Sequence, residues 1–170
     1  MSTAACLLID TNVWVDNYIP AREDAVYSRQ LIATAKQNGA ALVYPVHALK
    51  DVFYNLGATL KHVARMQEND ASNEVDALPE PDALAIQEIA WGCIENMCAL
   101  ATAIGADESD AWKARKLRSL STDLEDNFVM AAAERAHVDI IVTRDKGLLK
   151  KSTVPAFTPE DALAFLQVRK

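Results

Sequence analysis

The chain has 170 residues, of which 51% are hydrophobic and 24% are charged, and a formal net charge of −7. This composition excludes a disordered or fibrous protein, and the length fits one domain that buries roughly 70% of its unfolded surface. The acidic balance argues against a broad basic surface for nucleic acid. We therefore expect one domain over residues 1–170, whose acidity is either solvated surface or a carboxylate cluster that binds cations.

Signals for export or membrane insertion are missing from the sequence. No basic residue precedes the first apolar run, and Asp10 interrupts that run, which argues against a signal peptide. No uncharged stretch is as long as the about 18 residues that are needed to span a bilayer. The cysteines are odd in number and lack paired metal-ligand spacing, so a reducing cytoplasm is the expected setting.

The first half of the chain predicts alternating strands and helices. The apolar run at residues 6–9 ends abruptly in Asp10, which is typical of a buried parallel strand. A helix over residues 22–38 and a strand at 41–44 follow. The next helix is expected to begin near Val46.

The middle of the chain is less regular. Residues 67–82 are rich in Glu, Asn, Asp, Ser and Pro and predict a loop or a frayed helix end. A helix over 81–97 comes next, and residues 98–104 fit either its end or a third strand. We favour the strand, because the acidic run from Asp107 starts a new helix that reaches about Leu120.

The last part of the chain repeats the alternation. Thr122 and Glu125 have the spacing of a capping box at a helix start. A β-branched strand over 138–145 follows, then a short strand at 154–157 and a last helix that begins at 158–159. The alternation predicts an α/β domain with a largely parallel central sheet flanked by helices.

Acidic residues are predicted to meet at one edge of that sheet. Asp10 and Asp145 end two strands, at the edge where open α/β sheets bind ligands. Asp126 lies one turn inside the helix before the second of these strands, and Asp51 lies inside the helix that follows residues 41–44. Clustered carboxylates repel one another unless a cation neutralises them. Hard oxygen ligands suit Mg²⁺ or Mn²⁺, which predicts metal-assisted hydrolysis of a phosphodiester with one ion or two.

Four segments in this order carry a resemblance to a known family. They are residues 7–13 (LLIDTNV), 123–128 (DLEDNF), 141–146 (IVTRDK) and 154–160 (VPAFTPE). Together they resemble the PIN domain family, in particular the bacterial proteins that include VapC-like toxins. The resemblance implies a three-layer α/β fold in a single nuclease domain over residues 1–170.

The resemblance also implies roles for individual residues. Asp10, Asp126 and Asp145 would be catalytic residues that coordinate the metal. Asn12 and Thr143 would be neighbouring polar groups that hydrogen-bond ligands or water.

Asp51 departs from the family pattern, which commonly has the longer Glu in that helix. The shorter carboxylate would be a fourth catalytic acid that holds the metal either directly or through water. If Asp51 misses the site, Asp123 is the closest substitute, although its place at a helix start equally suits an electrostatic role there.

One basic cluster stands out in the acidic chain, and it consists of Lys113, Arg115, Lys116 and Arg118. Arg144 adjoins the predicted site. Such runs are usually solvated helix faces, and the alternative is that Lys113, Arg115, Lys116 and Arg144 contact RNA phosphates. We expect packing roles for Trp14, Trp91 and Trp112, because only an exposed ring could stack on a base.

The leading functional hypothesis is an Mg²⁺- or Mn²⁺-dependent endoribonuclease. The resemblance also implies the toxin of a toxin–antitoxin pair, with an antitoxin partner and a homodimeric assembly. A PIN-fold RNA-processing or DNA-directed nuclease and a non-catalytic PIN-fold interaction domain are the alternatives. An aspartyl phosphatase is disfavoured, since it expects a second Asp where this chain has Asn12.

Overall fold

A computed structural model describes residues 4–23, 25–67 and 80–168. Five short apolar segments form one sheet in which all neighbouring strands are parallel. The strands are β1 (Cys6–Ile9), β2 (Ala41–Pro45), β3 (Thr102–Ile104), β4 (Ile140–Val142) and β5 (Ala156–Phe157), and their order across the sheet is β3-β2-β1-β4-β5.

Eight α-helices flank this sheet in the described residues. They are α1 (Thr11–Tyr18), α2 (Ala25–Gln37), α3 (Ala48–Gln67), α4 (Glu80–Leu100), α5 (Glu108–Lys116), α6 (Leu124–Arg135), α7 (Lys146–Lys151) and α8 (Pro159–Val168). A short 3-10 turn, Leu117–Ser119, extends α5. In these described ranges, no helix is both long enough and apolar enough to cross a bilayer.

Strand β1, at the centre of the sheet, buries side chains on both of its faces. Leu7 and Ile9 belong to an apolar cluster that contains residues of α1, α2, α3, α4 and α8. Leu8 belongs to a second cluster, which contains residues of α6 and α7. Burial on both faces explains why β1 is a continuous apolar run rather than an alternating one. The expected three-layer α/β fold is confirmed.

The strand order places a crevice beside β1. From β1 the chain moves to β2 and β3 on one side, and it later returns to β4 and β5 on the other. Open α/β sheets bind ligands beyond the carboxyl ends of their strands at such a reversal. The carboxyl ends of β1 and β4 are joined there, because the backbone N–H of Asp10 donates to the carbonyl of Val142 over 3.0 Å.

Two helices beside this crevice were not predicted. Helix α1 begins directly after β1, and its sequence is rich in residues of modest helix propensity. Its stability comes from tertiary burial, since Val13, Trp14 and Val15 are buried. Helix α7 starts directly after the segment predicted as the strand 138–145, and Asp145 is its cap. Only Ile140–Val142 of that segment form β4, so the strand is shorter than expected.

Two further expectations are corrected by the structure. Residues 98–104 are divided, because α4 continues to Leu100 and only Thr102–Ile104 form β3. The predicted capping box of Thr122 and Glu125 is wrong. The cap of α6 is Asp123, whose carboxylate accepts from the backbone N–H groups of Glu125 and Asp126.

The predicted loop at residues 67–82 lies mostly outside the described residues. Its described ends are helical: Gln67 ends α3, and α4 begins at Glu80.

Candidate active site

Asp10 lies at the carboxyl end of β1 and caps α1. It is only 8% exposed. Its Oδ1 accepts from the backbone N–H of Thr11 over 2.7 Å, and its Oδ2 accepts from Asn12 Nδ2 and Thr143 Oγ1, each over 2.6 Å. Burial raises the pKa of Asp10, although these three hydrogen bonds act in the opposite direction. The carboxylate is therefore held rigidly in a place that disfavours its charge.

The two polar residues expected beside the site both contact Asp10. Thr143 is fully buried after β4, and its hydroxyl also accepts from the backbone N–H of Asp145 over 3.0 Å. The side-chain Oδ1 of Asn12 accepts from the backbone N–H of Arg144 over 3.0 Å. Asn12 and Thr143 thus join the end of β1 to the segment after β4.

Asp145 and Asp126 stand at the starts of two helices. The Oδ1 of Asp145 caps α7 by accepting from the N–H groups of Gly147 and Leu148 over 2.6 and 2.9 Å. Asp126 lies in the first turn of α6, and its Oδ2 accepts from Ser121 Oγ over 3.2 Å. Burial, and then the charge of Asp145, raise the pKa of Asp126. The two carboxylates are close enough to repel each other.

One cleft of about 300 Å³ collects the acidic residues. Five carboxylates line it, and they belong to Asp10, Asp123, Glu125, Asp126 and Asp145. The structure therefore brings together the three aspartates that were predicted from strand ends and motifs, and it adds two more acids.

Asp51 is not among the residues that line this cleft. It lies in the first turn of α3, where its Oδ1 is 3.3 Å from Lys50 Nζ. Its charge still reaches the site, since burial and then Asp51 raise the pKa of Glu125. Asp51 is thus a neighbour of the acidic cleft rather than part of its wall. Asp123, its proposed substitute, lines the cleft and caps α6.

Several polar residues that line the cleft were missed as site residues, namely Thr11, Arg22, Asn55, Thr59 and Glu125. Glu125 had been assigned only to a capping box. Asn55 and Thr59 follow Asp51 at intervals of four residues in α3, which places all three on one helix face. That polar stripe was the available signal.

Arg144 forms a buried ion pair instead of pointing free into solvent. Asp16 is fully buried in α1, and its Oδ1 and Oδ2 lie 2.5 and 2.6 Å from Arg22 Nε and Arg144 Nη1. Arg144 Nη1 also donates to the carbonyl of Glu23 over 2.5 Å. Arg144 therefore ties the segment before Asp145 to α1.

The structure divides the predicted basic cluster between two surfaces. Lys113 pairs with Glu134, with 2.6 Å between Nζ and Oε2. Arg115, Lys116 and Arg118 line a separate groove.

The expectation of packing roles holds for Trp14, which is buried. It is wrong for Trp112, which is 60% exposed. Trp91 is 50% exposed, yet its ring packs against that of Phe53 in α3, with 5.1 Å between the ring centres.

The donor set of the cleft fits a hard divalent cation. Its acidic side chains offer carboxylate oxygens to a cation. Burial together with mutual repulsion raises the pKa of Asp10, Glu125 and Asp126. Within the described residues, no three His, Cys, Asp or Glu side chains are arranged to hold a metal ion directly. Mg²⁺ usually keeps several waters and is bound through one or two carboxylates, so these residues suit a hydrated ion.

Comparison with known proteins yields a family and two related structures. Residues 6–147 match the PIN domain family. A structure of VapBC2 from Rickettsia felis, bound to a DNA fragment from their promoter, superposes with a TM-score of 0.58 at 11% identity and covers 90% of this chain and 98% of that one. PAE2754 from Pyrobaculum aerophilum superposes with a TM-score of 0.54 at 18% identity, over 96% of this chain and 90% of that one.

No curated protein matches the sequence significantly. At these identities the two structures establish the fold alone. The family match covers most of the chain, including the segments that carry Asp10, Asp126 and Asp145. The chain belongs to the PIN domain family.

Proposed function

We propose that this chain is a single-domain, Mg²⁺- or Mn²⁺-dependent endoribonuclease. PIN domains are generally nucleases that typically use divalent metals. The observation that carries the proposal is the convergence of Asp10, Asp126 and Asp145 on one cleft at the reversal of strand order. A divalent cation bound there would polarise a phosphodiester and lower the pKa of a bound water.

The residues of the chain have distinct tasks in this proposal. Asp10, Asp126 and Asp145 would hold the hydrated cation, in part through its water molecules, and the hydrogen bonds from Asn12 and Thr143 keep the Asp10 carboxylate in one orientation. Asp51 acts through its charge at the edge of the cleft. Asp123 keeps the start of α6, and hence Asp126, in place through its cap.

The decisive experiment is cleavage of a mixed pool of RNA by the wild type and by single Asp→Asn variants. With Mn²⁺ or Mg²⁺ present, we expect Asp10→Asn and Asp126→Asn to lower the rate by at least about a hundredfold, since each removes a charge that holds the cation. Asp51→Asn should lose much less activity. A chelator should abolish cleavage by the wild type.

Asp161→Asn is the matched control, because Asp161 is exposed in α8 and does not line the cleft. Thermal unfolding with and without Mn²⁺ gives a readout that is independent of activity. Bound metal should raise the melting temperature of the wild type more than that of Asp126→Asn. Equal cleavage by all variants, or cleavage that survives the chelator, would overturn the proposed metal site. Absence of cleavage by the wild type would assign the chain to the non-catalytic interaction domains. Cleavage of DNA but not RNA would assign it to the DNA-directed nucleases.

We propose the toxin role as the biological setting. The related structure from Rickettsia felis is a VapBC complex, and an antitoxin partner for this chain would cover the acidic cleft. Growth arrest on expression, relieved by co-expression of an adjacent small gene, is the expected result. Absence of arrest by an active enzyme would favour an RNA-processing role instead.

A homodimer is also proposed, through the apolar surface of α3 and α4. Tyr54 and Leu84 are largely exposed there and line one groove of about 720 Å³. Sedimentation of the wild type and of Tyr54→Ser together with Leu84→Ser would test this, since the double variant should be monomeric.

A further inference from the structure

A second groove, of about 580 Å³, lies between α5 and the beginning of α6. Its basic residues are Arg115, Lys116 and Arg118, and all three are exposed. Among the described residues none of the three forms an ion pair, whereas Lys113 of the same helix is paired with Glu134. In a chain with a net charge of −7, this groove therefore concentrates free positive charge.

An exposed aromatic ring stands among these charges. Trp112 lines the groove, and Lys116 Nζ lies 5.4 Å from the centre of its ring. Cation–π contact at this distance keeps the ammonium group beside the ring. Each nucleotide of a single strand presents a flat base and a phosphate, which match an exposed indole flanked by cations.

The groove and the acidic cleft share the first turn of α6. Asp123, Glu125 and Asp126 line the cleft, whereas Thr122, Leu124 and Asn127 line the groove. The two sites are thus separated by about the 10 Å width of one helix. A strand that occupies the cleft can continue into the groove.

The floor of the groove also has an unused acceptor. Asn127 is 2% exposed, and its Nδ2 donates to the carbonyl of Ser121 over 3.0 Å. Its buried Oδ1 has no hydrogen-bond partner within the described part of the chain. Such an atom is costly to leave unpaired, and a small local shift would let a water or an amino group of a ligand satisfy it.

We propose that this groove is a binding subsite for single-stranded RNA, in which a base stacks on Trp112 and the neighbouring phosphates contact Arg115, Lys116 and Arg118. The proposal rests on the proposed ribonuclease function and extends it to the path of the substrate. Duplex RNA is excluded from this mode of binding, because its bases are not available for stacking.

The test measures binding of a short labelled oligoribonucleotide to the full chain in the presence of a chelator, so that nothing is cleaved. Trp112→Ala should weaken binding roughly 5- to 100-fold, the range expected for loss of one stacked base. Trp112→Phe keeps a ring and should lose less. An oligomer with abasic sugars should bind Trp112→Ala and the wild type equally.

The charges are tested through the dependence of binding on salt. Loss of two phosphate contacts in the double variant Arg115→Ala with Arg118→Ala should flatten the slope of log K against log salt by about 1.4. Lys113→Ala and Trp91→Ala are the matched controls, one for charge in α5 and one for an exposed ring, and both should bind like the wild type.

Three results would overturn the proposed subsite. They are a salt slope of the double variant equal to that of the wild type, equal weakening of binding to intact and abasic oligomers by Trp112→Ala, and binding of duplex RNA as tight as that of the single strand. A polyglutamate peptide that binds more tightly, with the same dependence on Trp112, would assign the groove to a protein partner instead. Groove-dependent binding without metal-dependent cleavage would overturn the proposed function alone. If the groove variants bind RNA like the wild type and cleavage still needs Asp10, the proposed subsite alone would be overturned.

Discussion

The hydroxyl of Thr143 donates to Asp10 Oδ2 over 2.6 Å while it accepts from the backbone N–H of Asp145 over 3.0 Å. One fully buried side chain therefore joins an acid after β1 to an acid after β4. Because β1 and β4 are neighbours in the sheet, this link sets the position of two cleft carboxylates relative to each other.

Thr143→Val keeps the shape of the side chain and removes these two hydrogen bonds, together with the one that the hydroxyl accepts from Asn12 Nδ2 over 3.2 Å. We expect the free energy of unfolding to fall by about 1–3 kcal/mol, since a buried N–H is left without an acceptor. The cleavage rate should fall at least tenfold because Asp10 loses a donor. Chemical denaturation and single-turnover cleavage measure the two effects. Thr143→Ser retains the hydroxyl and should stay close to the wild type; a fully active Thr143→Val would contradict the role of this link.

Asp126→Asn should stabilise the protein in the absence of metal. Burial and the charge of Asp145 raise the pKa of Asp126. The folded state therefore binds a proton more tightly than the unfolded state does. The resulting stability is complete below the ordinary aspartate pKa and is lost as the pH rises through the higher folded pKa.

At pH 7 the variant should therefore be more stable than the wild type, and the gain should vanish near pH 3. Thermal unfolding would show the gain as a higher melting temperature of the variant at pH 7. The exposed Asp161→Asn should show no gain. A variant that is less stable than the wild type at pH 7 would mean that the charge of Asp126 is favourable in the fold.

Gly147→Ala should impair the site without unfolding the protein. A Cβ atom at this position would lie 2.9 Å from Asp145 Oδ1, too close for any real contact, and 3.6 Å from Asp126 Oδ2. The capping carboxylate must move, so we expect weaker Mn²⁺ binding and a lower cleavage rate. Stability should change by no more than about 1 kcal/mol, because alanine favours a helix over glycine.

Gly92→Ala in α4 is the control, since nothing lies within 4 Å of its added Cβ. It should raise stability slightly and leave cleavage unchanged. Thermal unfolding at increasing Mn²⁺ concentrations compares the metal affinity of the two variants, which should be lowered only in Gly147→Ala. Wild-type metal affinity in Gly147→Ala would show that the Asp145 carboxylate can shift without consequence.

Local sequence was sufficient to predict the sheet and the three central acids. Continuous apolar runs at β1 and β4 can be buried only in a sheet that is covered on both faces. Parallel strands present their carboxyl ends at one edge, so Asp10 and Asp145 had to come near each other once the two strands were neighbours. Asp126 followed from its place in the first turn of the helix before β4.

Tertiary packing decided which polar side chains meet at each site, because the periodicity of the sequence does not show how helices are placed relative to one another. The direction in which α3 leaves β2 places Asn55 and Thr59 at the cleft and leaves Asp51 beside it. The packing of α5 against α6 separates Lys113 from Arg115, although the two are only two residues apart.

Exposure and ion pairing were decided in the same way. Trp112 looked like a core residue in the sequence, yet its helix face remains uncovered. Arg144 was a candidate phosphate contact in the sequence, yet it is held by Asp16, which is more than a hundred residues away in the chain. Sequence patterns determine which faces are apolar, whereas the partner of a polar side chain depends on contacts between distant segments that only the folded chain forms.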